Sequence, residues 1–232
     1  MPMNAKRCFQ TLMFSLSLLF TNYSVAQPWQ HDVSTDVDGF PLEVYTRQLT
    51  TSDIKAFKSE TVIPAKMQSI LAVLLNIDDY PRLLHNSKQS KLVLEDDTPY
   101  VYTQIKGFWP VKPRDVIFTA NITQSDDYSI HISGYDVTGI LPSDEDHQRM
   151  FNAETYWQLT PINKTQTRVY FYSHADPGGI VPQWLVNLNL TDIPEYTLTN
   201  LHALVKEPQY RDATIESIQH EAVDLSFIKL PQ

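Results

Sequence analysis

Seven histidines, at positions 31, 85, 131, 147, 174, 202 and 220, are the residues of this 232-residue chain best suited to acid–base or metal chemistry near neutral pH. Their spacing builds none of the local arrangements such chemistry uses. There is no H-E-x-x-H for zinc, no G-x-S-x-G for a serine nucleophile and no G-x-x-x-x-G-K-[ST] for phosphates. What the polar residues can do instead is recognise a ligand. Arg168 and Tyr170 alternate with Val169 and Phe171, and Tyr170, Tyr172 and His174 fall on one face of a strand of period two. On an inner face, Tyr172 and His174 would hydrogen-bond a polar head group; on an outer face they would form a solvent ladder. Tyr156 and Trp157 pose the same choice on a neighbouring segment, which makes Trp157 a third candidate contact.

The single cysteine, Cys8, opens an apolar run that ends at Phe20, after Lys6 and Arg7 and before Ser24-Val25-Ala26. That is the pattern of a secretory signal peptide cut after Ala26, and its 13 apolar positions fall short of the roughly 18 expected of a spanning helix. Cleavage would leave no thiol, disulfide or cysteine-based metal site. Without Lys6 and Arg7, 16 basic residues stand against 27 acidic, a formal charge of −11 that repels nucleic acid and anionic surfaces. The acids cluster as Asp78-Asp79, Glu95-Asp96-Asp97, Asp126-Asp127 and Asp144-Glu145-Asp146, each between periodic segments, and read as solvated turns rather than a calcium loop.

Alternation predicts a hairpin over Phe40 to Leu49 and Ile54 to Ile63. A helical segment follows Pro64, with Met67, Ile70, Leu71, Leu74 and Leu75 on one face, and a short turn spans Arg82 to His85. Further strands are expected over Lys91 to Glu95, Tyr100 to Lys106, Val116 to Thr123, Tyr128 to Val137, Arg149 to Leu159 and Thr167 to Ala175. Short polar links make this a mostly antiparallel sheet. After the Asp176-Pro177-Gly178-Gly179 turn, one long helix is predicted from Pro182 to Lys206, kinked at Pro194, with Trp184, Leu188 and Leu201 in its apolar stripe. Gln209 to Gln232 reads as a mixed-polarity tail with a short helix around Asp212 to Gln219.

Two local motifs match one family in this order of elements. Trp109-Pro110-Val111-Lys112-Pro113-Arg114-Asp115 resembles the W-P-x-x-x-R-D loop of START domains, the lipid-transfer family related to the steroidogenic acute regulatory protein, especially its bacterial members. Gly178-Gly179-Ile180-Val181-Pro182-Gln183-Trp184-Leu185-Val186-Asn187 resembles the family's G-G-x-x-P-x-W-L-x-N approach to its last helix. The resemblance implies an α+β helix-grip fold, a curved antiparallel sheet wrapped around a long C-terminal helix, with a tunnel for one lipid. It makes Trp109 and Arg114 candidate contacts on one lip, with Arg114 and Asp115 alternatively anchoring the loop, and Trp184, Leu188 and Leu201 candidate contacts on the helix. Family members with a charged pair in the tunnel carry a second Arg six positions after the first; here that position is Ala120, which puts sterol-type recognition in doubt.

The expectation is therefore a signal peptide over 1–26, a lipid-binding domain over 27–208 and a tail over 209–232. The product would be a periplasmic or secreted monomer that needs no cofactor or metal, holds a hydrophobic small molecule and touches membranes transiently. The rival readings are an enzyme of the cyclase or hydrolase type using the same tunnel, and an interaction module whose tunnel is filled by its own side chains.

Overall fold

The computed structural model describes residues 27–107, 111–142, 145–218 and 223–231. Ten strands form one curved sheet in the order β1-β2-β3-β10-β9-β7-β6-β5-β4, with β8 beside β6. They are β1 Gln30–Val37, β2 Phe40–Gln48, β3 Lys55–Ile63, β4 Ser87–Glu95, β5 Thr98–Ile105, β6 Arg114–Gln124, β7 Ile130–Asp136, β8 Gln148–Arg149, β9 Phe151–Asn163 and β10 Gln166–Asp176. Every pairing is antiparallel except that of β6 with β8. The helices are α1 Met67–Leu75, α2 Tyr80–Leu83, α3 Gln183–Leu188, α4 Asp192–Leu204, α5 Pro208–Arg211 and α6 Ile215–Ile218. The architecture is α+β and of the helix-grip type.

Two-residue turns set the register of the hairpins. Asp38 and Gly39 both adopt positive φ, 58° and 82°, and join β1 to β2 with Val37 opposite Phe40. Asp96 and Asp97, at 48° and 61°, do the same for β4 and β5, where Glu95 faces Thr98. The acidic side chains stay in water while their short polar stems tolerate the left-handed backbone.

Alternation then divides the sheet into two faces. On β3, Phe57, Ser59, Thr61 and Ile63 are buried while Lys58 and Val62 are partly exposed and Glu60 is exposed. On β10, Thr167, Val169 and Phe171 are buried beneath the helices. The core sits between this inner face and helices α1 and α4, around Ile70, Leu71, Leu159, Leu198 and Leu201, all fully buried. Thr61 and His202 tie α4 to the sheet through a 3.3 Å hydrogen bond.

Two expectations need correction. The predicted helix from Pro182 to Lys206 is two helices, separated at Asn189 to Thr191. Pro194 is the third residue of α4, where a backbone N–H has no intrahelical partner to lose, so the proline belongs to a helix start rather than to a kink. The segment after 208 packs against the domain, and α6 falls within the short helix expected around Asp212 to Gln219. Tyr210, Ala213, Leu225 and Ile228 are buried in the main core, and Ser69 Oγ donates to Arg211 O across 3.1 Å. The leader expected at 1–26 lies outside the described residues.

Candidate functional site

Between the inner face of the sheet and the helices lies a cavity of about 300 Å³, within the range of small-ligand sites. Its floor follows from the period of two. Val101, Thr103 and Ile105 of β5, Val116, Phe118 and Ala120 of β6, and Ile132 and Gly134 of β7 border it in alternate positions. Thr155 and Trp157 of β9, Phe171 and Ser173 of β10 and Phe57 of β3 continue the wall. Trp157 and Phe171 stack with centroids 3.8 Å apart and planes 9° off parallel, a flat aromatic panel. The roof is Leu74 of α1, Tyr80 and Leu83 of α2, Val186 of α3, Leu190, and Ile193 and Thr197 of α4.

Ala120 and Gly134 are what leave the space open. They are paired across β6 and β7, so two adjacent inner positions carry one methyl group between them. A second cavity of about 360 Å³ lies beyond, between the α1–α2 connection, the β4–β5 hairpin and Val223. Leu74, Tyr80, Val101, Ala120 and Ile132 border both cavities. The phenol of Tyr80, on that partition, donates to Leu74 O across 2.9 Å, and burial pushes its pKa well above the usual range.

Among the described residues that border the first cavity there is no Asp, Glu, Lys or Arg. The polar groups are two small sets, His85, Asn86, Ser87, Thr103 and Thr197 on one side and Thr155, Ser173 and His174 on the other. Burial lowers the pKa of His85, whose ring stacks on Tyr196 at 4.8 Å and receives Asn86 Nδ2 at 2.8 Å. The described residues contain no group of three or more His, Cys, Asp or Glu placed to hold a metal ion. The lining is therefore chiefly apolar, with the imidazoles of His85 and His174 on its border.

The mouth is held by the two sequence motifs. Arg114 is buried, and its guanidinium donates to Pro177 O at 3.3 Å and to Lys112 O, which joins the loop before β6 to the turn after β10. Asp115 accepts two parallel 2.9 Å hydrogen bonds from Arg149 on β8. Gly178 and Gly179 take positive φ, and a Cβ on Gly178 would sit 2.8 Å from Arg149 O, so only glycine passes here. Asn187 Oδ1 accepts from Lys55 N at 3.0 Å and pins α3 over the start of β3.

Against this geometry the candidate contacts separate. Trp157 and His174 border the cavity, the latter where the β9–β10 register slips between His174 and Asp176. Tyr172 does not: it lies on the outer face, its hydroxyl bonded to Glu154 and its ring edge-on to Trp29. Arg114 is a loop anchor whose donors are directed at backbone carbonyls. Leu201 is fully buried in the core and is not among the residues that border the cavity. Trp184 and Leu188 are 68% and 67% exposed, because α3 turns Val186 to the cavity and those two residues outward. Trp109 lies outside the described residues. Ala120 lines the cavity at the tunnel position that the family resemblance assigns to it, whereas Gly134 and Thr155 carry no sequence signal beyond being small residues in strand patterns, and only the pairing of β6 with β7 shows that Ala120 and Gly134 meet.

The START domain family model matches residues 23–193. An uncharacterized protein of Pseudomonas aeruginosa is 27% identical over 187 residues, covering 79% of this chain and 90% of that protein. Among solved structures, a STAR-related lipid transfer protein from Xanthomonas axonopodis superposes with a TM-score of 0.68 at 26% identity, covering 77% of this chain and 99% of that one. Human StAR-related lipid transfer protein 5 superposes with a TM-score of 0.65 at 16% identity, covering 77% and 86%.

Proposed function

Because this chain belongs to the START domain family, we propose that it binds one lipid in the cavity between sheet and helices and carries it, as a non-enzymatic monomer, in the periplasm or outside the cell. The observation that carries the reading is the wall itself: about 300 Å³ enclosed almost wholly by apolar side chains, with no charged residue among the described residues around it. Burying apolar surface there is favourable at about 25 cal/mol per Å². The compartment rests on the leader pattern at 1–26. Trp157 would form part of the apolar wall against the ligand, and His174 would offer a polar contact near the mouth.

Native mass spectrometry of the protein purified from its own host's envelope, starting at Gln27, tests the reading. A lipid in one-to-one ratio is the expected result. An empty protein that also refuses a broad lipid panel would favour the enzyme or the interaction-module reading.

Transfer requires contact with a membrane, and the rim offers a surface for it. Ile180 is fully exposed, and Trp184, Leu188 and Tyr196 are exposed beside it in sequence on the elements that roof the cavity. Exposed apolar groups rimming a lipid cavity suit insertion among head groups, where Trp and Tyr are favoured. The net negative charge directs this contact to uncharged lipid surfaces. Changing Trp184 and Leu188 together to Asp is expected to weaken sedimentation with phosphatidylcholine vesicles at least about 10-fold, since each buried side chain contributes roughly 1.5–3 kcal/mol. Lipid binding in the absence of vesicles should persist. Unchanged sedimentation would place the membrane contact elsewhere.

A further inference from the structure

Ser87 is 1% exposed and borders the cavity, and its hydroxyl has no hydrogen-bond partner among the described residues. Other polar side chains of the same region are occupied. Thr197 Oγ1 accepts from His85 N at 3.3 Å, Thr103 Oγ1 accepts from Ser90 Oγ at 3.0 Å, and Asn86 Nδ2 donates to His85 Nε2 at 2.8 Å. An unpaired hydroxyl in an apolar wall costs roughly 1–3 kcal/mol, whereas a serine rotamer that turns it to a bound oxygen removes that cost. Nothing in the packing of Leu83, Leu84 or Ile105 around this point requires a hydroxyl; alanine would fill the position.

We propose that Ser87 is the head-group subsite of the cavity and that the ligand is an uncharged amphiphile with a hydroxyl or carbonyl oxygen, which lies at the start of β4 beside His85 while its apolar body lies along Trp157 and Phe171. This rests on the lipid-binding reading and narrows it. With no Asp, Glu, Lys or Arg among the described residues of the wall, a buried phosphate or carboxylate would have no lysine or arginine to pair with, which favours an uncharged head group. Burial keeps the His85 ring neutral, so it too offers a hydrogen bond rather than a charge.

The test compares three probes of one chain length, 1-dodecanol, 1-chlorododecane and dodecyl phosphate, by tryptophan fluorescence, to which Trp157 in the wall contributes. The unaltered protein is expected to prefer dodecanol, with dodecyl phosphate at least about 100-fold weaker. Ser87→Ala should weaken dodecanol about 5- to 10-fold, the worth of one hydrogen bond, and leave chlorododecane unchanged. Equal weakening of both would mean that Ser87 only shapes the wall, and preferential binding of dodecyl phosphate would mean a charged ligand; either overturns the subsite. If the unaltered protein takes up none of the three, the lipid-binding reading itself falls, an outcome distinct from binding that ignores Ser87.

Discussion

Ala120→Phe is expected to abolish lipid binding while leaving the protein as stable as before, or more so. Ala120 borders both cavities and faces Gly134 across the β6–β7 ladder, so the ring would rise from the floor into the space where a ligand chain must run. A substitution that fills an existing void gains contacts, commonly about 0.5–2 kcal/mol of stability, which for a domain of this size raises Tm by roughly 1–8 °C. Binding should fall at least about 100-fold in the same preparation. The two readouts move in opposite directions, which no unfolding artefact can imitate. Gly134 is a worse place for the experiment, because even a Cβ there would lie 2.9 Å from Thr155 Cγ2. Retained affinity in Ala120→Phe would mean that the ligand sits outside the space over β6 and β7.

The same position shows where the sequence is readable and where it stops. Each predicted strand between Phe40 and Ala175 is a strand in the structure, because one buried face forces apolar and polar residues to alternate. Alternation does not say which face is inside, and it loses phase at a bulge. Tyr172 and His174 are equivalent by period, yet Tyr172 meets Glu154 outside while His174, the last residue before the β9–β10 register slips, borders the cavity. β1 was missed although Asp38-Gly39 announces a two-residue turn; the segment before it is too polar for a core strand, and it is one only because it lies at the sheet edge against β2.

The helical stripe misled for a related reason. Trp184, Leu188 and Leu201 read as one apolar face on a continuous helix, but the break at 189–191 rotates the first two out of register with the third. Apolar residues that look like core by spacing then lie at the rim, in the core or on the cavity wall according to a helix boundary set by Pro194. The two family motifs are more informative than periodicity because their residues do local jobs: Arg114, Gly178 and Asn187 each make or permit specified backbone contacts at the mouth.

The strongest of these mouth contacts is the Asp115–Arg149 pair, and Arg149→Met is expected to be the most destabilising of the substitutions considered. Asp115 is 1% exposed and its carboxylate takes both of its ring-closing hydrogen bonds from Arg149 Nε and Nη2, at 2.9 Å each. Removing the guanidinium leaves a buried carboxylate without its partner, which costs about 3–5 kcal/mol and lowers Tm by roughly 6–20 °C. The damage should be electrostatic rather than a loss of volume, since methionine fills much of the space of the arginine stem. Two results follow from that distinction. Asp115→Leu combined with Arg149→Met should recover most of the lost stability, because replacing both members of a buried pair by apolar groups is often neutral. Thermal melts of the single and double variants check it: a double variant as unstable as Arg149→Met alone would mean that the arginine acts through β8 and the Gly178 turn instead, where its carbonyl lies against the glycine backbone. Recovery would show that Arg149 acts on stability by neutralising the buried carboxylate of Asp115.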